Sequence, residues 1–453
     1  MSIFEKVKEL SQLGEVTAGD KKEKKLVNRI KAQFENAFDE IRLYYYRVLN
    51  WSLKEAEIEC EGKKIPNEYF TVLPYSPSAD IEGRNYQIIP LNNLQELNIK
   101  YARLNEDIVP IFTLNDESLR KIVLKSRELL QNKPQNPPSI PAFFVNKDAL
   151  SYLKGECRFY VNSKFTNSTG ISIEGIINGK TDEKIYVTAH HDHWFNGEHD
   201  NLVGVSILSE LKGDYDYEIH AISFTAEESG CYFESFSWAC GSKQFVKTRK
   251  LDNTKLVISI DNISGDTINM FYTPFFAMPK FNGIEEVPYP SPYTDSYRFL
   301  DANIPTISFH SLRYKYYHSN LDILSKEESA KIEQTFLPIL KQLLKNPPIL
   351  NLNPEFIKND ILGLPSEIKA ILVNGKISNI LTLYKSILYP NGKIVTSLFH
   401  TLKGIKDAYY SEYLAIEDFG EIEYREDEAY YHYLNELYRR EIERYVILLE
   451  NFF

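Results

Sequence analysis

The sequence predicts an α/β protein built around a three-layer α/β/α domain with a mixed, largely parallel sheet. From Phe159 to about Lys345, hydrophobic β-branched runs alternate with amphipathic helical segments, which is typical of a parallel sheet covered by helices. Polar residues suited to binding a ligand follow several of these runs at their carboxyl ends, where open α/β sheets build their sites. The 453-residue chain is long enough for two or three domains.

The amino-terminal part, residues 1–62, is predicted to join this domain through one helix and two strands. Leu26, Ile30, Phe34 and Phe38 recur at helical spacing, so residues 17–38 are predicted to form an amphipathic helix. Two strand-like runs, YYYRVLNW and EAEIECEG, follow within residues 42–61.

Residues 63–155 are predicted to form a separate β-rich insert. Short β-like runs at Tyr86–Leu91 and Ile108–Thr113 accompany one predicted helix, Asp116–Leu130. The region closes with the proline-rich stretch KPQNPPSIP, which is typical of a linker.

Residues 156–345 carry the alternating pattern of strands and helices. The predicted strands are EKIYVTAH, YEIHAISFTAEE, KLVISIDNIS and IPTISFH, and helices are predicted from Asp200, around Ser242–Lys250 and through KEESAKIEQTFLPILKQLL. Residues 346–453 are predicted to be mostly helical. Their last helix, Asp427–Phe453, carries a Tyr/Leu stripe that indicates an interface or a lid, so a homo-oligomer joined through these helices is one expectation.

Composition and charge exclude several classes of protein. The net charge is −11 and there is no basic stripe, which argues against a nucleic-acid partner. No uncharged apolar run of 18 residues occurs, and the amino terminus lacks the apolar segment of a signal peptide, so neither a membrane partner nor secretion is expected. The four cysteines show no C-x-x-C spacing, which argues against a disulfide scaffold or a thiolate zinc site. These features together predict a cytoplasmic protein.

The segment IYVTAHHDHWFNGEHDNLVGVSIL, residues 185–208, is the strongest sign of a functional site. It places four of the nine histidines directly after a predicted strand, namely His190, His191, His193 and His199. Asp192 lies among them, and Asp200 opens the following helix. Neutral imidazole and carboxylate are ligands that zinc accepts. A solvated, His-rich loop is the alternative on this segment alone.

Three further motifs follow strands in the same domain. They are Glu227-Glu228, Asp261 and Tyr317-His318. Taken singly, each also fits a capping acid or a surface histidine. Adjacent acids such as Glu227 and Glu228 do not both face one metal, so one is a candidate ligand and its neighbour a free base. Crowding these carboxylates at one sheet edge is costly unless cations neutralise them. Two histidines and three acids suit two zinc ions that share one carboxylate.

The order His-x-Asp, Asp-Asn, Glu-Glu, Asp, Tyr-His resembles the dizinc aminopeptidase family, peptidase family M28. Leucyl aminopeptidases, glutamate carboxypeptidase and the transferrin receptor are members of this family. The resemblance spans about Ser172–Asp322, and the run TDSYRFLDANIPTISF is similar to another family segment. Residues 63–155 resemble the protease-associated domain that many members carry. Residues 346–453 have no such resemblance.

The resemblance implies two Zn²⁺ ions and a role for each matching residue. The implied ligands of one zinc are His190, Asp200 and Asp261, and those of the other are Asp200, Glu228 and His318. Asp200 is thus the shared ligand. Glu227 is the implied general base, which takes a proton from a water whose pKa the zinc ions lower. Asp192 is implied to hydrogen-bond His190 and fix its tautomer, and Tyr317 is implied to stabilise the oxyanion.

Two departures from the family pattern affect the expected substrate. Glu198 and His199 stand where the family usually has Gly-Ala, and the extra histidines are interpreted as spectators, with His199 the first exception to consider. The run CYFESFSWAC lengthens the loop after Gly230. Its aromatic residues are interpreted as lining a pocket or packing over the site: Tyr232, Phe233, Phe236 and Trp238. Its cysteines, Cys231 and Cys240, are close enough in sequence to pair, but free thiols are the expectation in a cytoplasmic protein.

The resemblance therefore implies a metallo-aminopeptidase that hydrolyses peptides. A carboxypeptidase is the second hypothesis, and it needs a basic pocket for which Arg298 and Arg313 are candidates. A single-zinc cyclase acting on amino-terminal glutamine is the third. A non-catalytic receptor-like module of the same fold is the fourth. The last two are disfavoured because all five ligand positions and the base are filled.

Overall fold

The computed structural model describes residues 1–349 except 103, 106, 125–137, 232–238, 266, 274–275, 288–290, 292–293, 301 and 303. The helices are α1 (Ile3–Ser11), α2 (Lys21–Phe34), α3 (Leu97–Ala102), α4 (Val203–Leu208), α5 (Cys240–Thr248), α6 (Tyr297–Leu300) and α7 (Lys326–Lys345). The strands are β1 (Glu40–Cys60), β2 (Lys63–Lys64), β3 (Phe70–Val72), β4 (Ala79–Gly83), β5 (Tyr86–Pro90), β6 (Val109–Thr113), β7 (Phe143–Val145), β8 (Cys157–Ile177), β9 (Lys184–His190), β10 (Glu218–Phe224), β11 (Thr254–Ile260), β12 (Ile268–Tyr272), β13 (Ile284–Val287) and β14 (Thr306–His310).

The main sheet is mixed, with a parallel centre and antiparallel flanks. Its order is β13-β12-β14-β11-β9-β10-β8-β1-β2, and β4 pairs with β8 beside this path. The four central strands β14, β11, β9 and β10 are parallel, whereas β12 pairs antiparallel to β14 and β8 antiparallel to β10. The parallel centre is the part of the sheet whose carboxyl-terminal strand ends lie at a common edge.

Helices cover both faces of this sheet, which confirms the predicted three-layer α/β/α fold. Alternate residues of β9 point to opposite faces, because side chains alternate along a strand. Val187 packs in the core formed with α1, α2, α4 and α7, while Tyr186 packs against Phe245 of α5 and Phe299 of α6 on the other face. None of the described helices is both long and apolar enough to cross a membrane.

The amino-terminal helices are built by local signals that the sequence carries. Asp20 caps α2 through a hydrogen bond from Lys22 N, and the predicted stripe of Leu26, Ile30 and Phe34 is buried. The helix is therefore shorter than the predicted 17–38. The two strand-like runs predicted in residues 42–61 form one 21-residue strand, β1, with a single irregularity between Leu53 and Glu55.

Four of the strands between β1 and β8 form a second, smaller sheet, whereas β2 and β4 pair with β1 and β8 in the main sheet. The order of the smaller sheet is β3-β7-β6-β5, and its core contains Ile111, Phe143 and Val145. The helix predicted at Asp116–Leu130 is wrong for residues 116–124, which are not helical, and the remainder of that range lies outside the described residues. These residues pair instead with a loop of the main domain, and tertiary contact overrides helical propensity there.

All four cysteines form disulfides, so the prediction of free thiols is wrong. Cys60 and Cys157 are partners in the β1–β8 ladder and are joined there, and Cys231 is joined to Cys240. Strand pairing and a loop bring these thiols together, which their spacing along the sequence did not indicate. Disulfides are typical of oxidising compartments, so they do not favour the predicted cytoplasmic location. The predicted helices of residues 350–453 lie outside the described residues.

Candidate dinuclear metal site

The candidate site lies at the carboxyl ends of the parallel strands, the usual site position in an open α/β sheet. His190 is the last residue of β9, and Asp261 directly follows β11. Glu227 and Glu228 follow β10 after two residues, and His318 lies in the loop that follows β14. Parallel pairing of neighbouring strands therefore brings residues from distant parts of the chain to one edge of the sheet.

One group of three possible ligand atoms is centred on His190. Its Nε2 lies 3.3 Å from Asp200 Oδ1 and 3.4 Å from Asp261 Oδ1. Two ligands of a tetrahedral zinc, each about 2.0–2.1 Å from the metal, lie roughly 3.3 Å apart. The observed separations therefore match those of atoms that share one zinc ion.

A second group is centred on His318 and shares Asp200 with the first. His318 Nε2 lies 3.0 Å from Glu228 Oε1 and 3.5 Å from Asp200 Oδ2. The two carboxylate oxygens of Asp200 thus face different histidines. Asp200 Oδ2 is buried and has no hydrogen-bond partner among the described residues. A bridging carboxylate has this arrangement.

The two histidines present the same ring nitrogen to the carboxylates. His190 Nδ1 lies 3.0 Å from the backbone carbonyl oxygen of Asp192, and His318 Nδ1 lies 2.8 Å from that of Lys121. A carbonyl oxygen accepts but never donates, so each Nδ1 carries a proton and donates it. Each Nε2 is then free to bind a metal ion, which is the tautomer that metal-bound histidines need.

The site concentrates buried negative charge. Burial raises the pKa of both Glu227 and Glu228 well above the usual range, and neighbouring carboxylates such as Asp261 raise it further. Buried carboxylates held this close are costly unless cations pair with them. Nitrogen and oxygen donors in this number and spacing fit two zinc ions.

Glu227 lies beside the first group and is 6% exposed. Its Oε2 is 3.9 Å from His190 Nε2, farther than the oxygens of Asp200 and Asp261. The preceding residue, Ala226, has a φ of 56°, a left-handed conformation that is uncommon for a residue with a Cβ. This turn directs two successive carboxylates, those of Glu227 and Glu228, towards the site.

Asp192 occupies a different position from the implied one. Its carboxylate oxygens accept hydrogen bonds from the backbone N–H groups of Glu227 and Glu228, at 3.0 and 3.1 Å. The carboxylate lies 4.0 Å from His190 Nδ1, and His190 Nδ1 donates its hydrogen bond to the backbone carbonyl of Asp192 instead. The sharp turn after β9 leaves the carbonyl, not the side chain, next to the ring. The Asp192 side chain thus holds the loop that carries both glutamates.

Tyr317 is half-buried and stacks on the His318 ring, with ring centroids 3.8 Å apart. Burial and the nearby Glu228 and Asp200 carboxylates raise the pKa of Tyr317 well above its usual value. The phenol is therefore neutral at ordinary pH and keeps a proton to donate.

The three extra histidines lie outside all three groups of possible ligand atoms among the described residues, of which the third joins His190, Glu227 and Glu228. His191 Nδ1 is 2.9 Å from Ser223 Oγ, and His193 Nδ1 is 2.8 Å from the backbone carbonyl of His191. His199 Nδ1 lies 2.7 Å from Asp322 Oδ1, and Asp322 also accepts the backbone N–H of Asp200. His199 thus supports the backbone at Asp200.

Two supporting contacts had no clear signal in the sequence. Trp194 Nε1 donates a 3.0 Å hydrogen bond to Glu228 Oε2. The backbone carbonyl of Lys121 accepts a hydrogen bond from His318 Nδ1. Of the two candidate arginines, Arg298 is buried on α6 and Arg313 is exposed. The aromatic residues predicted to line a pocket, Tyr232, Phe233, Phe236 and Trp238, lie outside the described residues.

Comparison with known proteins identifies one matching family and several similar folds. The profile of peptidase family M28 matches residues 172–341. A peptidase M28 precursor from Shewanella amazonensis SB2B has a similar fold, with a TM-score of 0.60 and 16% identity over 78% of this chain and 95% of that one. A zinc aminopeptidase from Bacillus subtilis gives a TM-score of 0.55 and 16% identity over 76% and 95% of the two chains. No curated protein matches the chain.

The fold and the matching segment define the class of this protein. Residues 172–341 belong to peptidase family M28, and the suspected membership of that family is confirmed. The chain is accordingly a hydrolase of the peptidase class. The profile match excludes residues 63–155, so their resemblance to a protease-associated domain stays a prediction.

Proposed function

We propose that this protein is a zinc-dependent exopeptidase, and specifically an aminopeptidase that removes residues from the amino terminus of peptides. The position of Asp200 carries the proposal, because its two oxygens face His190 and His318 at 3.3 and 3.5 Å. A single carboxylate shared in this way is what a pair of metal ions needs, and a non-catalytic module of the same fold would not require it.

His190, Asp200 and Asp261 would hold one zinc ion, and Asp200, Glu228 and His318 the other. When bound, the ions would polarise the scissile carbonyl and lower the pKa of the attacking water. This charge also offsets the repulsion among the buried carboxylates, which otherwise raises the pKa of Glu228.

Glu227 is the proposed general base. It is buried beside the first ligand group yet is farther from His190 than the two ligand carboxylates are, so its oxygens remain available to a proton. It would accept the proton of the attacking water and deliver it to the leaving amine. The neutral phenol of Tyr317, stacked on His318, would donate a hydrogen bond to the developing oxyanion.

The charge of the site supports aminopeptidase over carboxypeptidase activity. Six carboxylates of the described residues crowd this edge, those of Asp192, Asp200, Glu227, Glu228, Asp261 and the buried Asp295, whereas two zinc ions supply four positive charges. The remaining negative charge suits a substrate with a free ammonium group and disfavours one with a free carboxylate. Arg313, a candidate for binding such a carboxylate, is exposed.

Metal content and substrate choice together test this proposal. We expect about two zinc equivalents per chain by mass spectrometry and release of chromogenic amine from aminoacyl substrates but not from their N-acetyl forms. Cleavage restricted to N-blocked substrates with a free carboxylate would favour the carboxypeptidase. Failure to bind zinc even after reconstitution would contradict the metal site.

The role of Glu227 has its own test. Glu227→Gln should keep both zinc ions and lower kcat by about 10²–10⁴-fold, the usual contribution of a general base. Glu82→Gln changes an exposed glutamate on β4 and is the matched control, with unchanged kcat expected. A Glu227→Gln enzyme with the wild-type kcat would rule out Glu227 as the base.

A further inference from the structure

We propose that the insert is a structural part of the metal centre, because its segment Leu119–Lys121 positions the His318 side chain. The inference rests on the proposed dinuclear site and adds a set of positioning residues to it. It predicts that a contact outside the main α/β domain controls the affinity of one of the two metal positions.

The first observation is a reciprocal pair of hydrogen bonds between Lys121 and His318. The Lys121 backbone N–H donates to the His318 carbonyl at 3.1 Å, and the His318 ring Nδ1–H donates to the Lys121 carbonyl at 2.8 Å. The second bond selects the tautomer that leaves Nε2 free. The backbone of the insert therefore decides which nitrogen of this ligand faces Glu228 and Asp200.

The second observation is the buried guanidinium of Arg120, which is 4% exposed. It donates to the backbone carbonyls of Tyr317 and Lys315, the latter at 2.7 Å, and its Nε donates to Ser118 Oγ at 3.0 Å. Both carbonyls belong to the loop that ends at His318. A planar guanidinium holds two acceptors in a fixed relative geometry, which a lysine ammonium does not.

The loop needs such support because His318 has a φ of 56°, in the left-handed region. A residue with a Cβ is uncommon in this region and persists where its surroundings hold it. Asn320 adds a further bond, as its Oδ1 accepts the Leu119 N–H at 2.8 Å. Contacts with Arg120, Lys121 and Leu119 thus hold both sides of His318.

The same segment is tied to the other side of the site. Lys121 Nζ lies 2.6 Å from Glu15 Oε2, and that oxygen also accepts the Phe195 N–H at 3.0 Å. Phe195 belongs to the loop that follows His190 and β9. The insert is therefore connected to the loops on both sides of the site.

The two metal positions depend on the insert to different degrees. His190 Nδ1 donates a hydrogen bond to the backbone carbonyl of Asp192, which lies in the main domain. His318 Nδ1 donates its hydrogen bond to the backbone carbonyl of Lys121, which lies in the insert. Losing the support of one metal-bound histidine typically lowers metal affinity about 10–100-fold. Loosening the insert should therefore weaken the His318 position and leave the His190 position unchanged.

Stepwise zinc binding to the full chain tests this asymmetry. In Arg120→Ala, we expect the first zinc equivalent to bind as in wild type and the second to bind about 10–100-fold more weakly, measured by competition with a chromogenic chelator. The absorption spectrum of the cobalt-substituted variant should show that the second ion no longer occupies its site. Arg158→Ala is the matched control, because Arg158 forms a bidentate ion pair with Asp80 on the exposed β4–β8 pair. It should keep both affinities.

A second pair of variants guards against a folding defect in Arg120→Ala. Asn320→Leu removes the acceptor for Leu119 N–H and should weaken binding of the second zinc equivalent. Asn320→Asp keeps an oxygen there and should restore that binding.

Tight binding of both equivalents in Arg120→Ala and Asn320→Leu would overturn the inference. So would equal weakening of both equivalents with a lower melting temperature, which indicates a general scaffold. A wild-type protein that binds no zinc would instead overturn the proposed function, and this inference with it.

Discussion

The indole of Trp194 donates a 3.0 Å hydrogen bond to Glu228 Oε2, while the other oxygen of Glu228 lies 3.0 Å from His318 Nε2. One oxygen of the Glu228 carboxylate therefore accepts a hydrogen bond, and the other faces a candidate metal position. Trp194 thereby leaves one oxygen of Glu228 free to act as a ligand.

Replacing Trp194 should loosen this ligand. Trp194→Phe keeps an aromatic ring but loses the N–H donor, so we expect a roughly tenfold loss of affinity for the second zinc equivalent, measured by chelator competition. Trp51→Phe is the control, since Trp51 is also buried, in the same hydrophobic core as Trp194, but donates to the Ser76 carbonyl and not to Glu228. Equal zinc affinity in both variants would contradict this role for Trp194.

Substitution of Asp192 separates two explanations of its role. Asp192→Asn keeps the shape but replaces one acceptor oxygen with an NH₂ group, so one of the two N–H groups of Glu227 and Glu228 loses its partner. We expect a loss of about 1–3 kcal/mol of stability and a lower kcat with both zinc ions retained. If Asp192 instead acts through His190, zinc affinity at the first position should fall, as equilibrium titration would reveal.

The Cys60–Cys157 disulfide should contribute to stability. It joins paired residues at the end of the β1–β8 ladder and closes a loop with a sequence separation of 97. Removing a bond of this kind typically costs about 2–4 kcal/mol, because the unfolded chain gains freedom. The double variant Cys60→Ala, Cys157→Ala should lower the denaturant midpoint accordingly. Dithiothreitol should lower the wild-type midpoint and leave that of the variant nearer its starting value.

Buried His310 should make the protein less stable in acid. Burial lowers the pKa of His310 to about 4, and its ring stacks on Phe271. The unfolded state binds a proton near pH 6.5 and the folded state does not, so stability falls as the pH drops from about 6.5 to about 4. The loss approaches roughly 3 kcal/mol at the lower end, at about 1.4 kcal/mol for each unit of pKa.

A variant identifies His310 as the source of this loss. Between pH 7 and pH 4, His310→Leu should lose less stability than wild type in denaturant unfolding. His310→Leu with the same pH dependence as wild type would assign the effect to other groups.

Much of the fold and the placement of the site residues follow from local sequence patterns. Hydrophobic runs of the right length predicted β9, β10, β11 and β14, and polar residues directly after them predicted the common edge. His190 and Asp261 were predictable for this reason, since a residue that ends a parallel strand lies at that edge whatever the loops do. His318 was also a candidate because it follows the last strand, but it lies farther along its loop, and its role as a ligand came from the family resemblance.

Other features depend on turn geometry and on tertiary contacts, which direct individual atoms towards one another. His190 Nδ1 donates a hydrogen bond to the backbone carbonyl of Asp192, while the Asp192 carboxylate accepts the N–H groups of Glu227 and Glu228. The turn after β9 sets the orientation of both the Asp192 carbonyl and its side chain. The segment after Asp116 has helical character in sequence, yet it forms hydrogen bonds with the loop at His318. Disulfide pairing likewise depends on strand register, which single cysteine positions do not reveal.

The sequence by itself predicted the class of fold, the resemblance to the family and the candidate metal ligands, because periodicity, residue type and motif order are local features of the chain. The tertiary structure decided which atoms face each other: the two oxygens of Asp200 divided between His190 and His318, and the insert holding His318 in its tautomer. Such relations arise when the main sheet and the insert pack together, since His318 lies 197 positions from Lys121 and more than a hundred from Asp200. No local pattern encodes an orientation that another part of the chain imposes.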